Sequence, residues 1–238
     1  MIHNIIKIFQ IIFFVFSIFG QFKAQIKINW QLDSQKKIAN ITLYNESNEN
    51  IIIPLDTTSL QPYYSDNYNI IKQEWIDQYP FFGLTINIYD NIEQKNVETY
   101  LHSEIDLSDL KKIKIKNDSI KKEFNLKMEN WGKKNNVPKA DVKINYYIMN
   151  NLLRLKPQEK IVFHVPFNLK NITNRDIGPL QGFYVLDNEK ENIGYLSISI
   201  DKEAYIKYLT KSQRLKLNRY KLFTGSIKSN KINILSIE

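Results

Sequence analysis

Short runs of strict apolar–polar alternation dominate this chain, while only one stretch keeps a long helical spacing. Ile26, Ile28 and Trp30 alternate with Lys27, Asn29 and Gln31. Ala39, Ile41 and Leu43 do the same within 37–44, and Leu84, Ile86 and Ile88 alternate with Thr85, Asn87 and Tyr89. Ile161, Phe163, Val165 and Phe167 share a face opposite Val162 and His164. Side chains of a strand point alternately to opposite faces, so each run predicts a half-buried strand. Ile51-Ile52-Ile53 is continuous and β-branched, which predicts a strand buried on both sides and ended by Pro54. Polar segments at Asp33-Ser34-Gln35, Asn45–Asn50, Asp90-Asn91 and Pro157-Gln158-Glu159 supply turns. Strand, polar turn, strand is a hairpin unit. It is expected across Asn45–Asn50, and again for Gly182–Leu186 followed by Ile193–Ile200. Val97–His102 is the expected partner of the strand at 84–88, and Phe223–Leu235 a final strand. Seven or more such strands predict a mainly β chain, an antiparallel β-sandwich.

Helical spacing appears at 118–134, where Ile120, Phe124, Met128 and Trp131 form one apolar stripe. Asp118 or Ser119 is the expected cap, with Gly132 and Pro138 near the stop. This helix is expected to lie over an open end or face of the sheet. The stretch 140–152 suits either helix or strand. Asp201 can cap a short helix to about Lys211, with Ala204, Tyr205, Tyr208 and Leu209 inward. The sandwich therefore carries one or two added helices, with a helical insertion near 107–150.

Residues 1–24 have the form of a cleavable secretory signal: Lys7, an apolar run from Ile8 to Gly20, and Ala24 before the cut. The run is short for a membrane span, which needs about 20 residues. Residues 25–238 are then expected as one domain, periplasmic or extracellular. The chain has no cysteine, so it folds without disulfides, and lipid anchoring behind the signal is not expected.

Two stretches carry a family likeness. Ala39–Ile53 resembles the B–C region of immunoglobulin-like exported domains. Leu155–Phe163, followed by Gly182-Phe183-Tyr184, is similar to their later half. The likeness is to the domain type named for an intracellular proteinase inhibitor, and to exported immunoglobulin-like proteins of Bacteroidetes-type bacteria. It covers about a quarter of the chain, at core and turn positions, so it implies a fold and no activity. The helical stretch and the basic C-terminal block depart from it.

Motifs for catalysis are sparse. Behind the signal only His102 and His164 remain, both within strand patterns, and no Gly-x-Ser-x-Gly, His-Glu-x-x-His or Gly-rich phosphate loop occurs. Neither a zinc site nor a cofactor is expected. Glu104/Asp106 is a carboxylate pair of the kind a hydrolase of sugar or cell-wall substrates would use, and stands as the alternative reading. Asp66-Asn67 and Asp187-Asn188-Glu189 offer oxygens without the spacing of a calcium loop.

Two binding surfaces remain as candidates. One is an aromatic loop holding Tyr63, Tyr64, Tyr68, Trp75, Tyr79, Phe81 and Phe82, which could stack on sugars, grip a partner or cap the core. The other is a basic block holding Lys207, Lys211, Arg214, Lys216, Arg219 and Lys221, interleaved with tyrosines. Residues 25–110 carry 5 basic and 13 acidic side chains, whereas 202–231 carry 9 basic and 1 acidic. Such asymmetry implies an anionic partner or internal pairing of the two regions. Basic and aromatic side chains together suit nucleic acid, but export favours an anionic envelope polymer or a protein. The expectation is a non-enzymatic binding or accessory protein.

Overall fold

The computed structural model describes residues 26–63, 82–102, 110–172, 181–187 and 191–234. The strands are β1 (Ile26–Asp33), β2 (Ile38–Asn45), β3 (Ile51–Pro54), β4 (Leu60–Pro62), β5 (Leu84–Asp90), β6 (Lys95–Asn96) and β7 (Tyr100–His102). Two helices follow, α1 (Leu110–Asn135) and α2 (Val142–Asn150). Next come β8 (Leu152–Leu155), β9 (Lys160–Pro166), β10 (Gln181–Phe183) and β11 (Asn192–Ile200). The chain continues through α3 (Lys202–Lys207), α4 (Lys211–Leu217), β12 (Lys221–Leu222), β13 (Gly225–Lys228) and β14 (Ile232–Ile234).

Strands outweigh helices, and most pairings are antiparallel. One sheet has the order β1-β2-β9, a second β12-β3-β8, a third β13-β11-β5-β4, and β10 pairs with β7. β14 also pairs with β11, and β6 with β5. The period-two runs dictate a common core. Ile26, Ile28 and Trp30 of β1 join Ala39, Ile41 and Leu43 of β2, Ile86 and Ile88 of β5, and Leu196 and Ile198 of β11 in one buried cluster. Each such fully buried aliphatic side chain contributes about 1.5–3 kcal/mol relative to exposure. Asn230 closes the edge beside β1: its Oδ1 accepts from Trp30 N at 2.8 Å, its carbonyl accepts from Trp30 Nε1 at 3.0 Å, and its Nδ2 donates to Trp30 O at 3.0 Å.

The continuous apolar run in β3 has its explanation in two cores. Ile51 and Ile53 face the main cluster, whereas Ile52 faces a second one built from Ile144 and Ile148 of α2, Tyr205, Leu209 and Leu217. Helices α2, α3 and α4 therefore cover the outer side of β3.

Several expectations need correction. The segment Asn45–Asn50 does not turn a hairpin: β2 pairs with β1 and β9, and β3 with β8 and β12, so the loop passes between sheets. Gly182–Leu186 and Ile193–Ile200 are not hairpin partners either. β10 ends at Phe183, and Tyr184 N then donates to Leu169 O at 2.8 Å, which diverts the chain; β10 pairs with β7, and β11 with β5. Beside β5 lie Lys95–Asn96 and then Val97, whose N donates to Ile88 O at 2.7 Å, while Tyr100–His102 leaves to pair with β10. The final strand is broken into β13 and β14, both on β11.

Helix α1 starts at Leu110, well before Asp118 and Ser119, because the Lys- and Ile-rich turns upstream contain neither Gly nor Pro to stop it. It ends at Asn135, and Asn136 takes the left-handed cap conformation (φ 51°). The later half of its stripe is covered. Met128 packs with Val137 and Val142, and Trp131 with Tyr146, while Phe124 is 41% exposed. The described side chains of α1 thus pack on α2, not over a sheet. The ambiguous stretch 140–152 is helix α2 followed by the start of β8.

Candidate functional site

The basic block is built by two caps. Asp201 Oδ1 accepts from Glu203 N at 2.9 Å and starts α3 as expected, but α3 stops at Lys207. The second helix, α4, was missed. Its signal was present as Thr210-x-x-Gln213, a capping box in which Gln213 N donates to Thr210 Oγ1 at 3.3 Å and Thr210 N donates to Gln213 Oε1 at 2.9 Å.

Gln213 is also a buried tether. Its amide and that of Asn145 on α2 bond each other reciprocally at 2.7 and 3.0 Å. Asn145 Nδ2 donates to Tyr208 O at 2.7 Å, and Asn145 Oδ1 accepts from Trp131 Nε1 at 2.9 Å. This network holds α1, α2 and the α3–α4 turn together. Gln213 and Leu217, four residues apart, form the inner face of α4. Lys211, Arg214 and Lys216 are therefore turned outward, with Lys207 and Arg219 exposed at either end.

Five of the six predicted cations, Lys207, Lys211, Arg214, Lys216 and Arg219, are thus exposed along α3, α4 and the turn beyond. Lys207 lies over the Tyr208 ring at 5.3 Å and Arg219 over Tyr220 at 5.1 Å. Leu215, 61% exposed, stands among them. No carboxylate among the described residues forms an ion pair with any of the five. Among those residues the basic block meets the acidic N-terminal region at Lys221–Glu49, 2.6 Å apart. Beneath this surface the Tyr205 hydroxyl is buried without a hydrogen-bond partner. Burial pushes its pKa above the ordinary tyrosine value, and nearby Arg154 opposes the shift.

The aromatic candidates do not join this surface. Tyr63 lines a separate cleft of about 640 Å³ with Tyr100, Val97 and Val185, and none of the five cations borders it. Tyr63 N donates to Tyr184 Oη at 2.7 Å, and Tyr184 Oη donates to Ile86 O at 2.9 Å. Phe82 stacks on Tyr147 with ring centroids 5.4 Å apart, a core-capping role. Tyr64, Tyr68, Trp75, Tyr79 and Phe81 lie outside the described residues, as do Asp66, Asn67, Glu104, Asp106, Asn188 and Glu189. His164 is exposed on β9, and Asp187 borders the Tyr63 cleft. Among the described residues no group of three His, Cys, Asp or Glu could hold a metal ion, and no helix is long and apolar enough to cross a membrane.

A third surface, the outer face of β1-β2-β9, went unrecognised as a site because period two shows only that its side chains face outward. The register arranges them in rows across three strands: Lys27–Tyr44–Lys160, Asn29–Thr42–Val162 and Gln31–Asn40–His164. A groove of about 750 Å³ runs over the β1 and β2 members of these rows and Lys160, bordered by Glu46 and Asn230, with Val162 and His164 outside its lining. Comparison with protein families, curated proteins and solved structures finds no match to this chain.

Proposed function

We propose that this chain is an exported, non-catalytic binding or accessory protein, an immunoglobulin-like sandwich with a helical layer, whose α3–α4 surface holds an anionic polymer of the cell envelope. The observation that supports this reading is the set of five exposed cations without a carboxylate partner among the described residues. Cations meant for internal complementarity would be paired with the acidic region; these are free to attract an external anion. The two tyrosines under Lys207 and Arg219 add flat surface beside the charge. A periplasmic or extracellular setting fits the leader-like N-terminus and the absence of cysteine.

Retention of residues 25–238 on fractionated envelope polymer, measured at about 10 and 3 Å Debye length (0.1 and 1 M salt), tests this. Binding is expected at low salt and lost at high salt. Lys216→Glu with Arg219→Glu is expected to reduce low-salt retention at least tenfold. Equal retention of the variant would overturn the proposal.

A further inference from the structure

We infer that the outer face of β1-β2-β9 is a saccharide-reading site for short acidic oligosaccharides. It is distinct from the α3–α4 surface and does not rest on it, since none of Lys207, Lys211, Arg214, Lys216 and Arg219 borders the groove.

The face is ordered by chemistry from one end to the other. At one end Lys27 and Lys160 flank Tyr44, with Lys160 Nζ 5.4 Å from the ring centroid. In the middle Asn29 stands opposite Thr42, and at the far end Gln31 stands opposite Asn40. Asn40 Oδ1 is engaged by His164 Nδ1 at 2.7 Å, whereas the side chains of Asn29, Gln31 and Thr42 have no hydrogen-bond partner among the described residues. Strand spacing makes the three rows a platform of about 10 by 14 Å. Its volume falls in the range of small-molecule sites, about 300–1,000 Å³.

Unfilled amides and a hydroxyl are donors and acceptors at once, which suits ring hydroxyls that are also both. Lys27 and Lys160, on either side of Tyr44, supply charge for a carboxylate and outnumber Glu46, the one carboxylate in the groove's lining. β2 is paired on both sides, so the face between the edge strands β1 and β9 presents side chains, whereas an extended peptide would add at a sheet edge and leave this face unused. The occupant is therefore a sugar chain carrying carboxylate.

Titration calorimetry of the purified protein with trigalacturonate, a hyaluronan hexamer, maltotriose and hexaglutamate tests the assignment. Binding of at least one acidic sugar is expected, with maltotriose at least tenfold weaker and hexaglutamate silent. Asn29→Ala with Gln31→Ala, both exposed positions, should weaken that binding at least tenfold, and Lys27→Ala with Lys160→Ala should remove its salt dependence. Lys216→Glu with Arg219→Glu should leave it unchanged. Silence toward both acidic sugars, equal binding of hexaglutamate, or an unaffected Asn29/Gln31 variant would overturn the site. Loss of sugar binding in the Lys216/Arg219 variant would also overturn it, and would move recognition to the α3–α4 surface.

Discussion

Buried amides organise this protein at the residue scale. Asn45 is fully buried, and its Nδ2 reaches the carbonyls of Glu49 and Lys156 at 2.8 Å and Leu155 at 3.3 Å. Its Oδ1 accepts from Ser47 N and Oγ at 3.0 and 2.7 Å. The sequence Asn45-Glu46-Ser47 has the pattern of a glycan acceptor, but in the folded chain that nitrogen is inaccessible and engaged. Asn145 is equally committed, so Asn145→Ala strands the Trp131 Nε1–H and the Gln213 amide away from water. Each stranded group costs about 1–3 kcal/mol, and urea denaturation should show a loss in that range or above. Tyr205 is the opposite case. Its hydroxyl is buried and unpartnered, so Tyr205→Phe removes a desolvated group at no loss of contact. The variant should be equal or up to about 1 kcal/mol more stable near neutral pH. Above the ordinary tyrosine pKa, about 10, the unfolded chain releases this proton while the folded chain retains it, so stability falls as pH rises. Tyr205→Phe should flatten that part of the alkaline decline, as denaturation series at pH 8 and 11 would show.

At the scale of elements, alternation was legible wherever one face of a strand is buried. The faces assigned to Ile26, Ile28 and Trp30, and to Ala39, Ile41 and Leu43, are those found in the core. Pairing was less legible, because period two states which side faces inward and nothing about which strand lies alongside. Thus β3 looks like the partner of β2 but crosses to another sheet, and a two-core environment explains its unbroken Ile51-Ile52-Ile53. The five basic residues were legible as a run of charge along the sequence. The helix that orients three of them was not, because α4 depends on a capping box and on Gln213, a polar residue that reads as surface yet is buried. Gly194 on β11 marks where strand packing is tightest. A Cβ there would lie 2.3 Å from Ile234 Cδ1, 2.7 Å from Ile234 Cγ1 and 3.3 Å from Trp30 Cζ2. Gly194→Ala must displace the buried Ile234 side chain, and overpacking of this kind costs about 1–3 kcal/mol. Thermal unfolding should show the lowered midpoint, and pairing it with Ile234→Val should recover part of the loss.

For the whole molecule, uneven charge has two consequences of opposite sign. The C-terminal block, 9 basic and 1 acidic residue in 202–231, exposes Lys207, Lys211, Arg214, Lys216 and Arg219, none of them in an ion pair with a carboxylate of the described residues. Like charges held close repel one another more in the folded state than in an expanded chain. Salt screens this repulsion, so raising ionic strength from 0.01 to 0.15 M, which shortens the Debye length from about 30 to about 8 Å, should stabilise the protein. The same salt should weaken its hold on an anionic polymer. Lys216→Glu with Arg219→Glu should then act in both directions: higher stability at low salt, smaller salt dependence, and weaker polymer retention. A surface kept only for solubility would give no coupled loss of binding, and a block that stabilises the fold would give a less stable variant. Denaturation curves and retention measured on the same preparations at the two ionic strengths separate these cases, because only a binding surface trades stability for attraction.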